Sequence, residues 1–350
     1  MARKRRSPIL AARRTSRARR NRPPAGWPRS ENSDPAAKGS QKGRVVSLSA
    51  ARRRAVARRR LGGTTVASPP PGPAGPPGPD APPQGAAADF HLASCVACAR
   101  AGGRVLMDYW GRRRSYTIQQ KGPNDFVTAV DREAEQAIVR LVRERFPDHA
   151  IQAEESPATE GKVGYRWYID PLDGTTNYIH GYPFFCVSVG LADPQGMRAA
   201  AIFDPLRNEM FTAARGRGAF LNDEPIRVSP ATKLSQGLLV TGIPFRSLHR
   251  LDEYMNSFRA FVHGTSGIRR DGSAALDLAY VACGRYEGFW EMSLSPWDVA
   301  AGSLIVHEAG GVVTDFQGRG QYMASGDIIA AAPPIHPAML KIVKDAYRKD

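Results

Sequence analysis

Residues 88–350 of this 350-residue chain predict an α+β fold built in layers. Apolar residues recur at helical spacing at both ends of this region. A run of short strands with tight turns lies between them. The later half mixes helices and strands without repeating a simple βαβ unit.

Phe90, Leu92, Val96, Ala99 and Val105 share one face of a helix over 88–111, closed by Gly111. A second amphipathic helix over 131–146 gathers Ala134, Ile138, Leu141 and Val142 opposite its charges. Pro147-Asp148 turns the chain into a strand over 150–153, and Trp167-Tyr168-Ile169 reads as a short buried strand. Strands follow over 184–192, 198–203, 209–213 and 218–221. Beyond them, 238–241 is strand-like, 251–262 and 272–282 are helical, and 288–291 is a strand. A helix over 298–309, strands over 312–314 and 328–331, and a helix over 336–348 complete the pattern.

The net charge of +16 suits a nucleic-acid binder until it is located. Of the 49 Lys and Arg, 20 lie in residues 1–87, with 3 of the 33 Asp and Glu; 29 and 30 remain for the rest. The excess charge therefore belongs to the tail, which also holds 14 of the 28 prolines. Arg-rich blocks and a Pro/Gly spacer, with few apolar side chains, predict disorder for residues 1–87. Two alternatives stay open for this tail. It resembles an organelle transit peptide in composition, although its prolines oppose the amphipathic helix such a signal needs. GC-rich DNA upstream of a gene would also translate into such a sequence, leaving the tail out of the mature protein; the next methionine, Met107, lies inside a predicted helix. No apolar run reaches transmembrane length, so no membrane partner is expected and a cytoplasmic location is the default. Cys95, Cys98, Cys186 and Cys283 are too few and scattered for a disulfide framework, and Cys95-Val-Ala-Cys98 reads as two thiols on a packed helical face.

The segment most telling of chemistry is Asp170-Pro171-Leu172-Asp173-Gly174-Thr175-Thr176-Asn177. It brings two carboxylates, a glycine turn and two hydroxyls to the end of a strand. Such oxygens are the ligands a hard cation such as Mg²⁺ prefers. The N–H groups of a helix starting after the turn would face an anion such as phosphate. The competing reading is an Asp-Gly turn with helix-capping residues. Other carboxylates also stand at element boundaries. Glu154 follows the 150–153 strand, Asp298 is placed to cap the helix after it, and Asp131 to cap the 131–146 helix. Singly, none of these identifies a site.

Taken together, Glu154-Glu155-Ser156, the 170–177 segment and Trp297-Asp298-Val299-Ala300-Ala301-Gly302 resemble the inositol monophosphatase family, its bacterial SuhB-like branch above all. Lys121-Gly122-Pro123-Asn124-Asp125-Phe126-Val127-Thr128, Gly272-Ser273-Ala274-Ala275-Leu276-Asp277 and Glu308-Ala309-Gly310-Gly311 extend the match over about 88–345; the tail has no counterpart. The resemblance implies a layered αβαβα sandwich of the inositol monophosphatase/fructose-1,6-bisphosphatase type, and a lithium-sensitive, Mg²⁺-dependent phosphatase. It implies that Glu154, Asp170 and the Leu172 carbonyl hold one metal, and Asp170, Asp173 and Asp298 a second. Asp131 and Thr175 would orient and deprotonate the attacking water. The amides of Gly174 and Thr175 would bind phosphate, while Glu291 and the Gly272-Ser273-Ala274 turn would contact a polyol. Inositol 1-phosphate is the implied substrate, with fructose 1,6-bisphosphate, 3′-phosphoadenosine phosphates and histidinol phosphate as alternatives. A homodimer is implied as well.

A rival class is an RNA- or transcription-machinery-binding protein whose catalysis is incidental, motivated by the Arg-rich tail. No aromatic interleaving accompanies those arginines. Deleting residues 1–87 is expected to leave phosphatase turnover unchanged while abolishing salt-sensitive retention of RNA in a filter-binding assay. A loss of turnover would make the tail part of the catalytic unit.

Overall fold

The computed structural model describes residues 90–112, 117–122, 125–245 and 247–347. The tail expectation and the Pro123-Asn124 part of the 121–128 motif lie outside the described residues. Within them, a helix α1 (Phe90–Tyr109) is followed by a hairpin of β1 (Ile118–Gly122) and β2 (Asp125–Thr128), then α2 (Ala129–Arg145).

A seven-stranded sheet comes next. It comprises β3 (Ala150–Ala153), β4 (Arg166–Asp173), β5 (Cys186–Asp193), β6 (Gly196–Asp204), β7 (Glu209–Ala214), β8 (Ala219–Leu221) and β9 (Glu224–Ile226), adjacent in chain order. Only β3 and β4 pair in parallel; the remaining neighbours are antiparallel. The short helix α3 (Thr175–His180) separates β4 from β5.

The second sheet has five strands, β10 (Leu238–Thr241), β11 (Gly267–Arg269), β12 (Gly288–Glu291), β13 (Val312–Thr314) and β14 (Ile328–Ala331), in the order β11-β10-β12-β14-β13. Its helices are α4 (Leu251–Gly264), α5 (Ala274–Ala282), α6 (Pro296–Glu308), α7 (Tyr322–Ser325) and α8 (His336–Ala346).

Strand alternation explains the layering. In β6 and β7, Ala199, Ala201, Phe203 and Met210 pack with α1 and α2, whereas Ala200, Ile202, Phe211 and Ala213 pack with α5 and α6. In the five-stranded sheet, Val240, Phe289 and Ala330 join the same central core. Leu239, Trp290 and Ile329 face outward, onto Tyr254 and Phe261 of α4 and Met339 and Val343 of α8. Both faces of both sheets are thus apolar and covered. The result is the αβαβα sandwich.

Two helix starts differ from the sequence expectation. α2 begins at Ala129 with Thr128 as its N-cap, so Asp131 is the third helical residue of a capping box instead of the cap. α6 begins at Pro296 after the N-cap Ser295, and Asp298 again sits third. Pro296 suits the first turn because its missing N–H is not needed there. β4 also runs on to Asp173, four residues past the expected strand. The 118–128 hairpin, β9, β11 and α7 had no clear periodicity; β9 contains Pro225, which a sheet edge tolerates.

Gly302 brings α5 and α6 together. A Cβ there would lie 2.6 Å from the Leu278 side chain. Gly302→Ala is expected to wedge the two central helices apart and cost about 1–3 kcal/mol in urea unfolding. Unchanged stability would show that Leu278 can move aside.

Candidate active site

Asp170 and Asp173 are three residues apart, so a regular pleat would point them to opposite faces. Opposite β5, however, Asp170 pairs with Ser188 and Asp173 with Cys186, three steps against two. The extra residue is a bulge around Pro171-Leu172 that brings both carboxylates to one cleft. The Asp170 Oδ1 accepts the Leu172 N–H at 3.0 Å and fixes the bend. Gly174 then turns the chain at φ +97°, where an added Cβ would sit 3.0 Å from the Phe184 carbonyl oxygen.

Around this strand end lies a cleft of about 310 Å³, lined by Glu154, Asp170, Asp173 and Asp298 among others. Glu154 comes from the loop leaving β3, and Asp298 from the first turn of α6. Glu135 of α2, buried and missed in the sequence, anchors that loop: its Oε2 accepts the Glu155 N–H at 2.7 Å. Asp173 Oδ2 accepts from Ser273 Oγ (2.7 Å) and from Ala275 N (2.6 Å), and Asp298 Oδ2 accepts from Ser295 N (2.7 Å).

Asp170 is buried, and its pKa stands well above the ordinary carboxylate value. Burial is the main cause, followed by the charges of Glu154, Asp173 and Asp298. Among the described residues no three His, Cys, Asp or Glu side chains are already gathered around one point as an ion site. The donor set nevertheless fits Mg²⁺ in its chemistry, since four hard carboxylates line one cleft and a divalent charge would offset the repulsion that adds to the effect of burial on Asp170.

Thr175 lines the cleft, but Asp131 does not; it is buried directly behind Thr175. Thr175 Oγ1 lies 3.0 Å from Asp131 Oδ1 and 3.1 Å from the Leu172 carbonyl oxygen. One hydroxyl proton can serve only one of these acceptors at a time. The other oxygen of Asp131 accepts from Thr128 N (2.9 Å) and Thr128 Oγ1 (2.5 Å). Burial raises the Asp131 pKa to about 6, against the lowering effect of these hydrogen bonds.

The opposite wall comes from the five-stranded sheet. Glu291 ends β12, and Gly242 follows β10 so closely that an added Cβ would fall 1.8 Å from Glu291 Oε1. Asn177 Nδ2 donates to the carbonyls of Phe184 (2.7 Å) and Asp271 (2.8 Å), tying α3 to the Gly272-Ser273-Ala274 turn. Arg270 is the one cation among the described lining residues, with its guanidinium 5.5 Å from the Phe245 ring centroid. Every sequence-derived site residue except Asp131 lines this cleft: Glu154, Asp170, Leu172, Asp173, Gly174, Thr175, Gly272, Ser273, Ala274, Glu291 and Asp298. Gly242–Phe245 and Met292–Leu294 were missed. The signal for the first was a Gly-x-Pro loop leaving a strand, since ligands bind beyond the carboxyl ends of strands in open sheets; the second has no such motif.

Asp131 makes a stability prediction. Below about pH 4 it is protonated both folded and unfolded, so its burial carries no charge penalty. Between about 4 and 6 the folded state binds more protons, so stability falls as pH rises; above 6 the penalty is complete. Asn would keep the bonds from Thr128 and donate to Thr175 Oγ1, which can donate to Leu172. Asp131→Asn is therefore expected to melt above wild type at pH 8, with the gap closing towards pH 4. A gap independent of pH would remove the charge of Asp131 as its cause.

Known proteins share this architecture. The inositol monophosphatase family profile matches residues 89–347. The protein called Nus factor SuhB in Pseudomonas aeruginosa is 47% identical over 258 residues, 72% of this chain and 95% of that one. Its counterpart in Escherichia coli K12 is 45% identical over 255 residues, 73% and 96% of the two chains. The crystal structure of the extragenic suppressor protein suhB from Bartonella henselae superposes with a TM-score of 0.71 at 41% identity, covering 73% of this chain and 98% of that one. An inositol monophosphatase from Anabaena follows at TM-score 0.66 and 40% identity, covering 73% and 96%. With its sandwich, its carboxylate-lined cleft and these matches, the chain belongs to the inositol monophosphatase family.

Proposed function

We propose that this chain is a Mg²⁺-dependent phosphate monoester hydrolase acting on inositol 1-phosphate. The observation that carries the reading is that Glu154, Asp170, Asp173 and Asp298 line one cleft together with Thr175, which is backed by the buried Asp131. In this reading Glu154, Asp170 and the Leu172 carbonyl hold one cation, and Asp170, Asp173 and Asp298 a second. When bound, Mg²⁺ supplies Lewis-acid activation of water and offsets charge on the phosphoryl oxygens.

The chain's own groups do the rest. Thr175 orients the attacking water by its hydroxyl, and Asp131 takes up the proton through that hydroxyl, a buried carboxylate being a stronger base than an exposed one. The amides of Gly174 and Thr175 meet the phosphoryl oxygens at the left-handed turn. Glu291 and the Gly272-Ser273-Ala274 turn meet the hydroxyls of the alcohol, and so set which ester is accepted. A homodimer in the cytoplasm completes the proposal. Among the described residues no helix is long and apolar enough to cross a membrane.

A second role is favoured by the relatives' name, Nus factor SuhB, together with the Arg-rich tail: nucleic acid would bind residues 1–87 through its phosphates. It is compatible with hydrolysis in the 88–350 domain.

Phosphate release is measured from inositol 1-phosphate, fructose 1,6-bisphosphate, a nucleotide 3′,5′-bisphosphate and histidinol phosphate. Each is tested with Mg²⁺, EDTA or added Li⁺. The expected result is Mg²⁺-dependent, Li⁺-sensitive release led by inositol 1-phosphate. Asp173→Asn and Asp298→Asn should each lower kcat by about a hundredfold or more without loss of fold. Normal turnover in either variant would sink the two-cation assignment, and a different leading substrate would reassign the alcohol alone.

A further inference from the structure

Two loops contribute to the cleft wall supplied by the five-stranded sheet, Gly242–Phe245 beyond β10 and Met292–Leu294 beyond β12. Both lie past the last sheet pairing of parallel neighbours, Thr241 with Trp290, so the β10–β12 ladder does not set their spacing. Ser293 stands at φ +62°, a left-handed conformation that costs a non-glycine residue free energy and persists only where neighbours hold it.

The neighbours that hold it come from the turn between α7 and β14. Asp327 Oδ1 accepts the Ser293 N–H at 3.3 Å, and the Gly326 carbonyl accepts the Leu294 N–H at 2.9 Å. Gly326 permits this approach, since a Cβ there would lie 2.5 Å from the Leu294 carbonyl oxygen. Ser247, two residues past the first loop, donates its N–H to the Pro244 carbonyl at 2.9 Å and its Oγ to Ser293 Oγ at 2.7 Å, and so joins the first loop to the second. Asp327 is itself fixed by Arg250, whose two terminal nitrogens reach its two carboxylate oxygens at 2.8 and 2.9 Å. That fork-to-fork geometry allows little rotation. Arg250 is in turn held by Glu253 at 3.2 Å and by the Tyr347 ring, 5.3 Å away.

We infer that Asp327, locked by Arg250, is a positioning residue that sets the spacing of the two alcohol-facing loops and thereby the affinity for the polyol half of the substrate. It does not line the cleft. It acts through Ser293, two residues beyond Glu291. The inference rests on the reading of this site as a polyol-phosphate hydrolase.

The test compares wild type, Asp327→Ala, Asp327→Asn and Ser247→Ala on two esters, inositol 1-phosphate and p-nitrophenyl phosphate, whose alcohol has no ring hydroxyls to read. Amide hydrogen exchange is followed in the same proteins. Asp327→Ala is expected to raise KM for inositol 1-phosphate about tenfold, with kcat little changed. It should leave p-nitrophenyl phosphate turnover as in wild type and speed exchange at residues 292–294. Asp327→Asn, which keeps an oxygen for the Ser293 N–H, should recover part of the KM. Ser247→Ala, which cuts only the link between the loops, should give a smaller shift of the same kind and serves if Asp327→Ala does not fold. Equal losses on both esters, a fall in kcat at constant KM, or unchanged exchange at 292–294 would overturn the inference. A wild-type protein that hydrolyses neither ester would instead overturn the functional reading, and the exchange data would still decide whether the clamp exists.

Discussion

Like charges repel most strongly where water is scarce, and Asp170 is buried with Glu154, Asp173 and Asp298 as its charged neighbours. Left alone, such carboxylates would move apart. The fold counters this by giving Asp173 and Asp298 a hydrogen-bonding hold and tying the Glu154 loop to Glu135. Asp173 takes up the Ser273 hydroxyl and an amide of α5; Asp298 takes up the amide that starts α6. The carboxylates are thus kept close by interactions that also begin helices, so the local structure and the site share the same bonds.

The layer order follows from that sharing. α6 must lie against β4 and β5 for Asp298 to reach the cleft, and small residues allow it: a Cβ at Gly190 would fall 3.2 Å from the Ala301 backbone nitrogen. α5 must start where Asp173 can meet its first turn. Both helices are therefore confined between the sheets, while the outer helices serve mainly to cover apolar faces.

The sequence was most legible where one physical cause acted alone. Strands such as 238–241, 288–291, 312–314 and 328–331 matched to the residue, because each is a short apolar run with clear boundaries. Helix starts were misread where a carboxylate had two jobs. Asp131 and Asp298 resemble caps by composition, yet Thr128 and Ser295 precede them and take the cap position. The bulge at Pro171-Leu172 was illegible because register depends on the partner strand, which local spacing does not report. The pairing of Asp131 with Thr175, 44 positions away, was legible only through the family resemblance, and the burial of Asp131 behind that hydroxyl not at all. The loops at 242–245 and 292–294 carry no charged motif, and their place at the cleft is a product of topology.

The bulge in β4 makes the site sensitive to strand register more than to residue type at one position. Leu172 offers its side chain to the core and its carbonyl towards Thr175, so another apolar side chain could serve there. Losing the bulge at unchanged length is a different event. The pleat would become regular, the strand would still pair with β5, and Asp170 and Asp173, three residues apart, would be dealt to opposite sides. Lineages of this domain can therefore drift in composition along β4, but a one-residue slip of register against β5 between Asp170 and Asp173 would erase the site while leaving a sheet that folds.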